Sequence, residues 1–125
     1  MGEVWMVNDI LRHIDRILPS IDVDTIVTFD KGGISGHANH IAISDASLYY
    51  KEKMALFHLV SHPLYIKYNL FHPPSSAYVF KSDLNDWKRG IRAMVFAHVS
   101  QMRWFRWAWI LFSRYMVINE LVEVK

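Results

Sequence analysis

The sequence predicts an α/β fold, a short, mostly parallel sheet flanked by helices, and three observations carry that reading. An apolar stripe at three-and-four spacing opens the chain, with Val4, Val7, Ile10, Leu11, Ile14, Ile17 and Leu18 on one helical face and Pro19 with Ser20 as its stop. The run TIVTF, Thr25 to Phe29, is short, β-branched and bounded by Asp24 and Asp30, as expected of a strand buried on both faces. A glycine-rich turn, DKGGISG, then leads into a helix expected to begin around Ser35 to His37 and to run to about Lys51. Helix, strand, turn and helix is the rhythm of a parallel sheet.

The remaining elements follow in order. ALFHLVS, Ala55 to Ser61, reads as a second buried strand, and PLYIKYNLF after Pro63 as a short helix or an irregular apolar segment. His72 to Ser76 is a loop, AYVFKS from Ala77 to Ser82 a third strand, and Ser82 or Asp83 an N-cap. Helical spacing then persists from Leu84 to about Tyr115, weakened by Gly90 and with a break expected near Ser100 to Arg103. INELVEV, Ile118 to Val124, alternates as a final edge strand would. A doubly wound sheet usually begins with a β-α unit, whereas this sequence opens on a helix, so a further unit is expected before Met1.

Composition narrows the function classes. A length of 125 residues suits one domain, and 52% hydrophobic against 21% charged residues excludes general disorder. A net charge of +2 gives no reason to expect a nucleic acid partner. Without cysteine there are no disulfides and no thiolate zinc sites, so any metal must be held by His and carboxylate. The apolar start carries Asp9, Arg12, Asp15 and Arg16, which suit neither a signal peptide nor a membrane span.

FDKGGISGHANH, residues 29 to 40, is where chemistry is expected. His37 and His40 stand three apart at a helix start, on one face, beyond the carboxyl end of a strand, where open α/β sheets bind ligands. Gly32, Gly33 and Gly36 permit a tight turn and a close backbone approach, and Asp30 is a candidate to orient one imidazole through its ring N–H. The bland alternative is an ordinary strand-to-helix connection with two solvated histidines, and H-x-x-H alone does not separate the two. His58, His62 and His72 read as packing or loop residues, and His98 as a core or supporting histidine. MRWFRWAWILFSRYM, residues 102 to 116, fits either a helix on a membrane surface, with Arg103, Arg106 and Arg114 snorkelling, or a core helix with Trp104, Trp107 and Ile110 or Leu111 turned inward.

VTFDKGGISGHANHIAI, Val27 to Ile43, resembles the H-x-x-H signature of the GlcNAc-phosphatidylinositol de-N-acetylases of the LmbE-like superfamily, and AHVSQMRWFRWAWILFSRYMVINEL, Ala97 to Leu121, resembles their C-terminal region. The resemblance implies a partial Rossmann-like, LmbE-like layered fold across residues 1–125. It also implies a Zn2+ (or other divalent metal) hydrolase that removes acetyl from GlcNAc-phosphatidylinositol in glycosylphosphatidylinositol anchor biosynthesis, at the cytoplasmic face of the endoplasmic reticulum membrane. By it, His40 would be a metal ligand and His37 the imidazole beside the acetamide oxyanion, while Asp30, Gly33 and Gly36 would shape the rim. The family's A-H-P-D-D-E run, which supplies its other ligands and its general base, does not occur in these residues. The chain is therefore expected to be the C-terminal portion of such an enzyme, with little or no activity alone; the alternative is a non-catalytic member that binds lipid or a partner.

Overall fold

The computed structural model describes residues 4–125. The chain divides into two compact units, Met1–Ser61 with Leu121–Lys125, and His62–Glu120. The strands, β1 (Thr25–Phe29), β2 (Ala55–Leu59), β3 (Tyr78–Lys81) and β4 (Ile118–Glu123), are ordered β1-β2-β4-β3.

In the first unit, α1 (Val7–Ile17) ends in a 3-10 turn containing Pro19, which cannot continue an α-helix. After β1 comes a single irregular turn, α2 (Gly33–Gly36), and then α3 (Ala38–Ser47), which crosses back to β2. β1 and β2 are parallel, with Thr25 opposite Ala55 and Phe29 opposite Leu59. β2 and β4 are antiparallel, with Phe57 opposite Glu123, so the sheet is mixed, within the α/β class that the sequence predicts. Ala42, Ala46, Tyr50 and Leu56 form the buried apolar centre. The Tyr50 hydroxyl donates to Asp15 at 2.8 Å; burial first, and then this carboxylate, push its pKa up to about 12. His58 donates its Nε2–H to Ser47 Oγ at 2.9 Å, because that hydroxyl spends its own proton on the Ser44 carbonyl. Burial holds His58 below its ordinary pKa, against the opposing pull of Asp30, so its role is packing between α3 and β2.

Two strand expectations need correction. β1 is not buried on both faces: α3 packs on it and α1 packs on α3, which covers one face, while Val27 on the other is 59% exposed. β4 is not an edge strand, since it lies between β2 and β3. Its alternating pattern reports which face is wet and says nothing about which strands flank it.

In the second unit, PLYIKYNLF resolves into one helical turn, α4 (Leu64–Lys67). Asp83 caps α5 (Leu84–Ala97), accepting from the Asn85 and Asp86 amides at 2.7 and 2.8 Å while Asp86 closes a capping box. The expected break follows: a 3-10 turn, Val99–Gln101, separates α5 from α6 (Trp104–Phe112). On α6 only Ile110 is buried; Trp104 is 84% exposed and Trp107 is exposed too, so the core arrangement with both tryptophans inward does not form.

Arg114 also departs from its expected place. It does not snorkel but is 0% exposed, with Nη2 3.0 Å from Glu120 Oε1 and Nη1 donating to the His72 carbonyl at 2.6 Å. Glu120 in turn accepts from the Ser75 and Ser76 amides at 2.8 and 3.0 Å, and His62 Nε2 lies 3.1 Å from it. A desolvated guanidinium is stable only with such partners, and these tie the 72–76 loop to the start of β4.

Candidate functional site

The site forms where β1 ends. Asp30 turns the chain by accepting the Gly32 amide at 2.9 Å on Oδ1, and Oδ2 accepts the Ser61 amide at 2.7 Å. The Ser61 hydroxyl also donates to Asp30 Oδ1 and accepts the Ile34 amide at 2.7 Å. The carboxylate expected to orient an imidazole is thus occupied in clasping the turn to the end of β2. Gly32 makes that clasp possible, because a Cβ there would lie 2.6 Å from Ser61 Cβ. Gly33 and Gly36 have φ of +55° and +72°, which glycine adopts without steric cost. Ile34 has φ +65°, where a β-branched residue is strained by about 1–3 kcal/mol unless its surroundings hold it.

The turn delivers the two histidines together. His37 is the N-cap residue of α3 and His40 lies in its first turn, with ring centroids 5.1 Å apart and edge to face. His40 is stacked on Phe29 at 3.9 Å with an 8° interplanar angle, so the last residue of β1 sets its ring plane. Its Nδ1 lies 3.2 Å from the Gly33 carbonyl. A carbonyl can only accept, so Nδ1 carries the proton at this contact, and the neutral ring then offers the lone pair of Nε2, the arrangement that suits a metal-binding imidazole. His37 is exposed and His40 half-buried.

Two imidazoles do not complete a metal site, which needs about three protein ligands. Among the described residues no group of three or more His, Asp or Glu gathers to hold a metal ion. The donor set for the expected zinc is therefore not assembled from these residues alone. His98, at the C-terminus of α5, belongs to the second unit and lines a cavity of about 180 Å³ with Met94, Met102, Arg106 and Trp109. A larger cavity of about 680 Å³ runs along α1 past Trp5, Ile10, His13 and Ile43, and neither His37 nor His40 lines it.

Sequence reasoning missed Ser61, which completes the turn from 31 residues away, and the serine itself carries no motif.

Comparison with known proteins bears on this turn. The chain is 32% identical to the probable N-acetylglucosaminyl-phosphatidylinositol de-N-acetylase of Schizosaccharomyces pombe, over 97% of its own length and 54% of the relative's. It is 30% identical to the de-N-acetylase of Arthroderma benhamiae (82% and 46%), and 36% identical to that of Bos taurus (88% and 49%). The chain is a relative of the N-acetylglucosaminyl-phosphatidylinositol de-N-acetylases. It spans about half the length of the curated relatives it matches. No protein-family model matches it, and no solved structure does.

Proposed function

We propose that this chain supplies part of a de-N-acetylase site, in which acetate is released from the glucosamine nitrogen of N-acetylglucosaminyl-phosphatidylinositol. The observation that carries the reading is the sequence identity to three so-named relatives along 82–97% of the chain. The geometry agrees with it. With Nδ1 donating to the Gly33 carbonyl, neutral His40 offers Nε2 beyond the end of β1, suited to be one ligand of zinc or another divalent metal whose remaining donors come from outside these residues. His37, exposed beside it, is free to meet the acetamide oxygen and, when protonated, to stabilise the charge that develops there or to pass a proton to the leaving amine.

The test is acetate release from the glycolipid by the chain mixed with a polypeptide carrying an A-H-P-D-D-E segment. Turnover that needs both components and fails with His37→Ala supports the enzyme. Metal occupancy without turnover supports instead a binding protein, the reading favoured by the incomplete donor set.

The same proposal places the protein against a membrane, at the cytoplasmic face of the endoplasmic reticulum in the family's setting. Among the described residues no helix is long and apolar enough to cross one. Trp104, Trp107 and Leu111 are exposed and share one face of α6, with Arg103 and Arg106 exposed beside them. Residues 62–120 hold eight Lys and Arg against three Asp and Glu, so the +2 of the whole chain conceals a net +5 in this unit. Aromatic and cationic side chains together suit an anionic lipid interface. The chain should sediment with anionic liposomes, and Arg103→Glu with Arg106→Glu should weaken binding by at least about tenfold, at about 1 kcal/mol per basic residue. Equal binding by the charge-reversed variant would remove α6 from the interface.

A further inference from the structure

The peptide unit between Gly33 and Ile34 is engaged on both sides. Its N–H donates to Ser61 Oγ at 2.7 Å, and its carbonyl accepts from His40 Nδ1 at 3.2 Å. In a trans peptide the N–H and C=O point in opposite directions from one rigid plane, so whatever fixes the N–H also aims the carbonyl. Gly33 and Ile34 on either side both have positive φ, at +55° and +65°. A β-branched residue keeps that conformation only when held, and the Ser61 hydroxyl holds it. That hydroxyl is itself directed, because it gives its proton to Asp30 and so turns a lone pair toward the Ile34 amide. Asp30 is in turn fixed by the Ser61 and Gly32 amides.

We infer that Ser61 is a positioning residue for His40. Through the Gly33–Ile34 peptide it determines which ring nitrogen of His40 carries the proton, and therefore that Nε2 is the nitrogen offered to the site. In a neutral imidazole one nitrogen donates and the other accepts, so a carbonyl aimed at Nδ1 selects the Nδ1–H tautomer. Losing the hydroxyl frees the peptide to rotate, the carbonyl leaves Nδ1, and the tautomers mix. The inference deepens the proposed metal-binding role of His40, but its test needs neither metal nor turnover.

The measurement is a long-range 1H–15N correlation spectrum of the labelled 125-residue chain at mildly alkaline pH, with the His40 ring signals assigned by their absence in His40→Phe. His40 should show a protonated Nδ1 and an unprotonated Nε2. Ser61→Ala should move the tautomer ratio toward Nε2–H by roughly fivefold, the weight of one net hydrogen bond. Ser61→Thr, which keeps the hydroxyl, should restore the ratio. A serine with a merely structural role would lower the melting temperature without moving it. If Ser61→Ala does not fold, Ser61→Cys, similar in shape and a weaker acceptor, takes its place with the same expected direction. An unchanged ratio in the folded variant, or a threonine that fails to restore what alanine loses, overturns the inference. A tautomer shift in the chain, with no acetate release by its mixture with the A-H-P-D-D-E polypeptide, leaves the inference standing and removes only the enzyme reading.

Discussion

Arg114→Ala is expected to cost about 3–5 kcal/mol of folding stability at neutral pH, because it leaves the Glu120 carboxylate buried and uncompensated. Both side chains are essentially inaccessible, at 0% and 1% exposure. Burial pushes the Glu120 pKa up, but the Ser75 and Ser76 amides and the Arg114 guanidinium outweigh it and hold the carboxyl below its ordinary value. A carboxyl depressed by folding contributes stability above its unfolded pKa and loses that contribution as pH falls through its folded pKa. Burial also holds His62 below its ordinary 6.5, so the unfolded chain takes that proton first and stability declines further as pH drops below 6.5. In the variant the charge on Glu120 has become a liability, and acid relieves it. The deficit against wild type should therefore be largest near neutrality and shrink toward acid, as read from urea unfolding across pH. A deficit below about 1 kcal/mol, or one that does not change with pH, would mean that the pair does not hold this unit together. Arg114→Leu combined with Glu120→Gln keeps an acceptor for the two serine amides and should recover part of the loss.

This pair also marks the limit of what local pattern reveals. Arg103, Arg106 and Arg114 look alike in sequence, each a cation among aromatics, yet two are exposed and the third is among the most deeply buried residues described. What separates them is Glu120, six residues on, whose depth depends on where β4 sits in the sheet. Strand neighbours are fixed by long-range pairing, which periodicity does not encode, and this is why β4 reads as an edge from its alternation. Features set within a few residues were legible: Pro19 as a stop, Asp83 as a cap, the break after α5, and the histidine pair at the head of α3. The glycine turn was legible as a turn. Its clasp was not, since Ser61 reaches Asp30 only after the β1-α3-β2 crossover has folded.

His40→Phe should separate the chemistry of this site from its construction. Alanine at position 40 would remove the proposed ligand nitrogen and also the ring stacked on Phe29, an aromatic contact worth about 1 kcal/mol, so lost activity could reflect a disordered turn. Phenylalanine keeps an aromatic plane against Phe29 and lacks both ring nitrogens. What it gives up is the bond from Nδ1 to the Gly33 carbonyl, in a half-buried position, so its stability should stay within about 1 kcal/mol of wild type. Zinc affinity in the reconstituted mixture should nevertheless fall by on the order of 100-fold or more, beyond the loss typical of removing a group that only supports a ligand. His37→Ala should do the opposite: in the proposed division of roles its ring meets the acetamide oxygen and not the metal, so zinc affinity should persist while acetate release falls by about 100-fold or more, as when an oxyanion partner is lost. Titration calorimetry with zinc and an acetate assay on the two variants distinguish these outcomes. Equal zinc affinity in His40→Phe and wild type would reverse the assignment, because the turn that Asp30, Ser61 and Phe29 build would then be holding an imidazole that touches no metal.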